Sequence, residues 1–171
     1  GSMFEYLMPS LVMHTPIGSL LDHTNRMIVR RQVEYGKSLG TPWGVSESAY
    51  NTRDLELTYQ YSNFGVPGLG LKRGLGENAV IAPYATALAA TVDPIAAARN
   101  FERLRPAGGR GRYGYYEALD YTAQRIPQGE TVAVVRAFMA HHQGMTVVAI
   151  ADALLDGAMR QIERLSELVE R

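Results

Sequence analysis

The sequence predicts an all-α domain, and three features carry that expectation: an amphipathic stretch over residues 19–39, an alanine-rich apolar run leading into a proline-started segment, and long apolar stretches after residue 130. In the first, Leu20, Met27, Ile28 and Val33 recur near helical spacing with arginines between them, and Ser19 is placed to cap the N-terminus. In the second, VIAPYATALAATV (residues 80–92) is apolar almost all round, with Pro83 suited to a first turn, which predicts a buried helix. Asp93 then caps PIAAARNFERL (94–104), whose proline takes the favoured first position, so the two make an αα-hairpin. In the third, TVAVVRAFMAHHQ and GMTVVAIADALLDGAMRQ read as two more helices, the later one running on towards IERLSELVER. Residues 1–160 form one domain in this reading, and 161–171 a helical exit or linker with Ile162, Leu165 and Val169 on one stripe.

Between the helices lie long loops. Residues 41–76 are rich in Pro, Gly, Asn and Tyr, and Thr52–Tyr59 fits a short helix or a strand equally well. Long loops in a compact domain usually carry function. GLGLKRGLG has a superficial likeness to phosphate-binding loops but lacks GxxxxGK[ST] and a preceding strand, so it reads as a cluster of structural turns.

Composition narrows the classes. With 46% hydrophobic and 20% charged residues the chain has the profile of a globular domain. Seventeen basic side chains balance seventeen acidic ones, leaving no net field for nucleic acid or an anionic membrane. The absence of cysteine removes disulfides and thiolate metal sites and fits a reducing, cytosolic compartment. No apolar run reaches the roughly 20 residues of a membrane-spanning helix, so no direct membrane insertion is expected.

Three constellations bear chemistry. In TPWGVSESAYN (41–51), Glu47 stands between Trp43 and the pair Tyr50 and Asn51. Aromatic faces stack on the C–H faces of pyranose rings while carboxylates and amides bind hydroxyls, so the mixture suits a glycan cleft. An equally open reading makes Ser46 a helix N-cap with Glu47 in the first turn. In GRYGYYEALDYT (111–122), four tyrosines surround Glu117 and Asp120. They either wedge a loop onto the core or, with the first segment, supply the second carboxylate and the aromatic platform a glycosidase needs. In AFMAHHQGMT (137–146), His141 and His142 are placed at a helix end, where they cap, pack, or bind sugar hydroxyls. Neighbouring helical side chains diverge by about 100°, and there is no HExxH, so no metal is expected. No G-x-S-x-G elbow supports a serine hydrolase.

MFEYLMPSLVM, WGVSESAYN, TYQYSNFGVPGLGLKRGL, VIAPYATALAA, RYGYYEALDYT and MAHHQGM, in this order, resemble the glucoamylase-like middle region of bacterial cyclic β-1,2-glucan synthases over about residues 3–160. The resemblance implies part of an (α/α)6-toroid glycoside-hydrolase-like fold, with the remaining helices on the N-terminal side. It also implies a large synthase at the cytoplasmic side of the inner membrane, whose other domains are partners, and no cofactor. The implied reaction is retaining transglycosylation: cleavage of linear β-1,2-glucan and closure onto the chain's own non-reducing end. Carried over, Glu47 is the general acid/base and Glu117 the nucleophile, with carboxyls about 5 Å apart; a gap of about 6.5–9.5 Å would indicate inversion. Trp43, Tyr50, Tyr115 and Tyr116 would line subsites, and Asn51, Asp120, His141, His142 and Gln143 would bind hydroxyls or tune a carboxyl. The alternatives are a non-catalytic glycan-holding module and a helical scaffold within the synthase.

Overall fold

The computed structural model describes residues 1–157. The all-α expectation is corrected: among these residues five α-helices alternate with seven short strands, all paired antiparallel. The helices are α1 (Met3–Leu7), α2 (Leu20–Leu39), α3 (Pro83–Ala90), α4 (Pro94–Leu104) and α5 (Ala140–Leu154). The strands are β1 (Ser48–Arg53), β2 (Tyr59–Ser62), β3 (Val80–Ile81), β4 (Arg110–Gly111), β5 (Gly114–Tyr115), β6 (Ala118–Asp120) and β7 (Ala133–Val135). The mixed architecture does not make a toroid of helices. The proposed helical exit at 161–171 lies outside the described residues.

The helix signals hold where capping chemistry is explicit. Ser19 accepts the Asp22 N–H at the start of α2, and Asp93 accepts the Ala96 N–H at the start of α4, which opens on Pro94. Ser2 and Glu5 complete a reciprocal capping box on α1. The apolar stripe of α2 differs from the expectation: Ile28 and Val29 are buried, whereas Leu20 and Met27 point to solvent. The buried face instead carries Asn25, which donates to Ser10 Oγ, and Gln32 and Gly36, which face Val45 and Trp43 on the segment leading to Glu47. Helix α3 is buried from Pro83 through Ala89, and its alanines let α4 and α5 approach closely.

The strands were not legible because most are two or three residues long, too short to show alternation. TVAVVRAFM is strand β7 and non-helical chain up to the start of α5; β-branched Val132, Val134 and Val135 pack on a pleated surface better than on a helix. Thr52–Tyr59 resolves as the end of β1, the connecting turn and the start of β2, in a hairpin that pairs Ser48 with Ser62 and Arg53 with Tyr59 across a bulge. A three-stranded sheet of order β3-β6-β7 pairs Leu119 with both Ile81 and Val134. Two core clusters result, one among α1, α2, α3 and α5, the other between this sheet, Val45, Phe64, Val66 and Leu104.

Candidate active site

Glu47 and Glu117 are linked through Tyr61 and His142. The approach to Glu47 is fixed by two buried amides that imitate strand pairing. Gln32 of α2 donates to the Val45 carbonyl and accepts the Val45 N–H, both at 2.8 Å. Asn100 of α4 accepts the Trp43 N–H at 3.1 Å and donates to the Trp43 carbonyl and to Thr86 Oγ1, each at 2.8 Å. Two glycines make room for this segment. A Cβ on Gly36 would stand 2.6 Å from Trp43 Cβ, and Gly44 adopts φ +118° against the Ala82 carbonyl. Residues 41–47 are therefore a clamped strap, and Ser46 is not a helix N-cap. Its Oγ accepts the Phe4 N–H and meets the Tyr84 hydroxyl at 2.8 Å, while Tyr84 donates to the Glu47 carbonyl at 2.9 Å.

Glu117 precedes β6 and is 2% exposed. Its N–H donates to the Ala137 carbonyl, which extends the β6–β7 pairing and turns the side chain towards β1 and α5. Oε1 accepts the Ala49 N–H at 3.2 Å and meets His142 Nδ1 at 2.8 Å. Oε2 is buried and has no hydrogen-bond partner among the described residues. Such an orphaned carboxylate oxygen is costly, and functional sites are where it is tolerated.

His142 joins the two glutamates. Its Nε2 lies 3.3 Å from the Tyr61 hydroxyl, and that hydroxyl donates to Glu47 Oε1 at 2.8 Å. The imidazole is fully buried and stacks on Tyr84 with ring centres 3.7 Å apart and 11° between planes. The histidines occupy the first turn of α5, not a helix C-terminus, so the dipole argument for a stabilised cation there does not apply. Desolvation and then the neighbouring His142 push the His141 pKa down, against weaker upward pulls from Glu117 and Glu47. Burial raises the Tyr84 hydroxyl far above its usual range. Burial also raises Tyr61, reinforced by its bond to Glu47.

A cavity of about 120 Å³ borders Glu117 and His142, lined also by Tyr115, Tyr116 and Gln143. Tyr115 packs on Phe101 and donates to its carbonyl at 3.1 Å, and Gln143 donates to the Tyr115 carbonyl at 3.4 Å. Tyr116 packs on Phe138. His141 is exposed beside them, its ring 4.0 Å from that of His142.

The other sequence candidates stand elsewhere. Trp43 is 3% exposed in the helical core and presents no open face for stacking. Asp120 is fully buried in a salt bridge to Arg125, at 2.6 and 3.1 Å, and also accepts the Asn51 and Thr122 N–H groups. The Asn51 side chain donates to the Arg125 carbonyl at 2.6 Å, and Tyr50 packs edge-on against Phe64 beneath the Arg125 guanidinium. Asn51, Asp120 and Tyr50 thus form a structural node. Sequence reasoning missed Tyr61, Tyr84, Gln32 and Asn100. A tyrosine inside an otherwise apolar helix such as α3 was a usable signal, because a buried hydroxyl demands a partner. Among the described residues no group of three or more His, Asp or Glu side chains could hold a metal, and no helix is long and apolar enough to cross a membrane.

A buried carboxylate coupled through histidine and tyrosine to a second carboxylate, beside a tyrosine-lined cavity, accords with the family comparison. The family described as "Putative glucoamylase" matches residues 1–165, and the chain belongs to that family. The cyclic beta-(1,2)-glucan synthase NdvB of Rhizobium meliloti (strain 1021) is 55% identical over 170 residues. That match covers 99% of this chain and 6% of the relative's own length. The resemblance read from the sequence is therefore upheld, although its all-helical fold is not.

Proposed function

We propose that this domain cleaves linear β-1,2-glucan and passes the glycosyl unit to a sugar hydroxyl, with Glu117 as nucleophile and Glu47 as general acid/base. The observation that carries the reading is Glu117: Oε1 is fixed by Ala49 and His142 while Oε2 is buried without a partner, in a residue that lines the cavity. A nucleophilic carboxylate needs one oxygen held and the other directed at the anomeric carbon. Glu47, more accessible and with its carboxyl hydrogen-bonded to the Tyr61 hydroxyl, suits proton exchange with a leaving or attacking oxygen. Tyr115, Tyr116, His141 and Gln143 then contact sugar, while Trp43, Tyr50, Asn51 and Asp120 hold the frame.

In this reading the domain works inside a longer synthase at the cytoplasmic face of the inner membrane, whose other domains complete the cleft. The cavity of about 120 Å³ is well under the roughly 300–1,000 Å³ of ligand pockets, so it takes only the edge of a glucosyl ring. That small volume also favours a second reading, a non-catalytic module that guides glucan between neighbouring active sites. Incubation with linear β-1,2-glucan, with products read by mass spectrometry, separates the two. Rings or redistributed chain lengths that vanish in both Glu47→Gln and Glu117→Gln support catalysis. Glucan binding that both variants retain, with no turnover by the wild type, supports the guide.

A further inference from the structure

Between the two glutamates, one Tyr61 hydroxyl stands between two groups that can each take its proton. Tyr61 has one hydroxyl proton and two neighbours, Glu47 Oε1 at 2.8 Å and His142 Nε2 at 3.3 Å. His142 Nδ1 faces Glu117 Oε1, which already accepts the Ala49 N–H, so Nδ1 carries a proton and donates. If Glu47 is ionised and takes the Tyr61 proton, Nε2 must also be protonated, or two lone pairs face each other. If Nε2 is bare, Tyr61 must donate to it, and Glu47 must carry a proton that it donates to the Tyr61 oxygen. The two arrangements hold the same number of protons.

We propose that His142 and Tyr61 form a relay that shares one proton between the imidazole and Glu47, keeping Glu117 the ionised end and delivering the acid proton to Glu47. This rests on the glycan-cleaving reading above. In the forward direction the His142 Nε2–H bond breaks as a Tyr61 O–H bond forms, and the original Tyr61 O–H bond breaks as Glu47 Oε1–H forms. The imidazolium becomes neutral imidazole and the Glu47 carboxylate becomes the acid; no electron, metal or co-reactant takes part. The glycosyl transfer supplies the drive. As Glu117 Oε2 bonds to the anomeric carbon, its charge is lost, the imidazolium loses its counter-charge, and the proton moves towards Glu47 and the departing oxygen.

Burial isolates the relay. The imidazole is fully buried, covered by Tyr84 on one face and by His141 at its edge, so Tyr61 is the polar group through which Nε2 reaches Glu47. The groups facing His142 are Glu117, Tyr61, Tyr84 and His141, with Glu47 one step beyond. Desolvation and the two carboxylates hold Tyr61 well above the ordinary phenol range, so it passes protons while resting neutral. Tyr61 and His142 are positioning residues, acting through Glu47.

The test has a catalytic arm and one that needs no turnover. Tyr61→Phe keeps the ring and removes the relay. Its kcat on linear β-1,2-glucan should fall about 10²-fold with KM little changed, the loss expected of a missing acid proton. On a dinitrophenyl β-glucoside, whose leaving group needs no proton, the loss in the first step should shrink to a few-fold. A loss of equal size on both substrates overturns the relay. In the second arm, ¹⁵N NMR of the His142 ring should change on Glu47→Gln when Tyr61 is present and stay unchanged when Glu47→Gln is made on Tyr61→Phe. A His142 signal indifferent to Glu47→Gln also overturns it. A wild type inert on both substrates defeats the glycan-cleaving reading, and the NMR arm then decides the relay alone.

Discussion

Glu117 and Asp120 stand three residues apart at the start and end of one short strand segment, both carboxylates buried, yet they are built for opposite ends. Asp120 is saturated: Arg125 grips both oxygens, and the Asn51 and Thr122 N–H groups fill the remaining acceptor sites. Glu117 is half satisfied, one oxygen held by a histidine and a backbone N–H and the other left without a partner. A saturated buried ion pair locks the sheet and the β1 strand together. An unsaturated one costs stability and is retained where the free oxygen has work to do.

The comparison breaks first at activity. Glu117→Gln and Glu47→Gln should each lower glucan turnover by at least about 10²–10⁴-fold, with the circular dichroism spectrum unchanged; a variant of either that turns over normally removes that glutamate from the chemistry. Asp120→Ala should act on folding instead, lowering stability by about 3–5 kcal/mol in a urea titration because Arg125 is left facing an emptied site. Replacing Asp120 and Arg125 together by Leu and Met should restore part of that loss.

Smaller effects sharpen the same contrast. The Tyr84 hydroxyl titrates above its unfolded value of 10.0 because it is buried, so its contribution is complete below about pH 10 and is lost as pH rises further, when the unfolded chain ionises first. Tyr84→Phe should flatten that alkaline fall while costing about 1 kcal/mol at neutral pH, read by thermal melts across pH. His141, whose pKa is lowered from 6.5, favours the neutral ring in the folded state. The unfolded chain therefore takes up its proton first, and stability declines slightly as pH falls below about 6.5. His141→Gln should remove that acid-side slope in the same melts.

The helices of this fold were legible because their signals are local. Ser19, Asp93, Pro83 and Pro94 mark termini through one or two hydrogen bonds or a fixed φ, and α2, α3 and α4 appear where those residues put them. The sheets were not, since β3 and β6 pair through two residues across about 40 residues of sequence, and β6 and β7 through only three residues each. The same division runs through the site. Glu47 and Glu117 stood out as carboxylates among aromatics, and His142 as one of two adjacent histidines at a helix end. Tyr61 was not, because its role comes from the β1–β2 hairpin swinging its hydroxyl between two residues far apart in the chain. Asp120 misled for the mirror-image reason: nothing local distinguishes a carboxylate that Arg125 will saturate from one that is left open.

Azide rescue tests the central claim, that Glu117 is the nucleophile and Glu47 the acid/base, most directly. Glu117→Ala removes the covalent step, and azide should then displace an activated leaving group from the α face and give an α-glycosyl azide. Glu47→Ala should leave the covalent intermediate intact and give the β-glycosyl azide. Rescue in neither variant, or the two anomers interchanged, would contradict the assignment of roles made here.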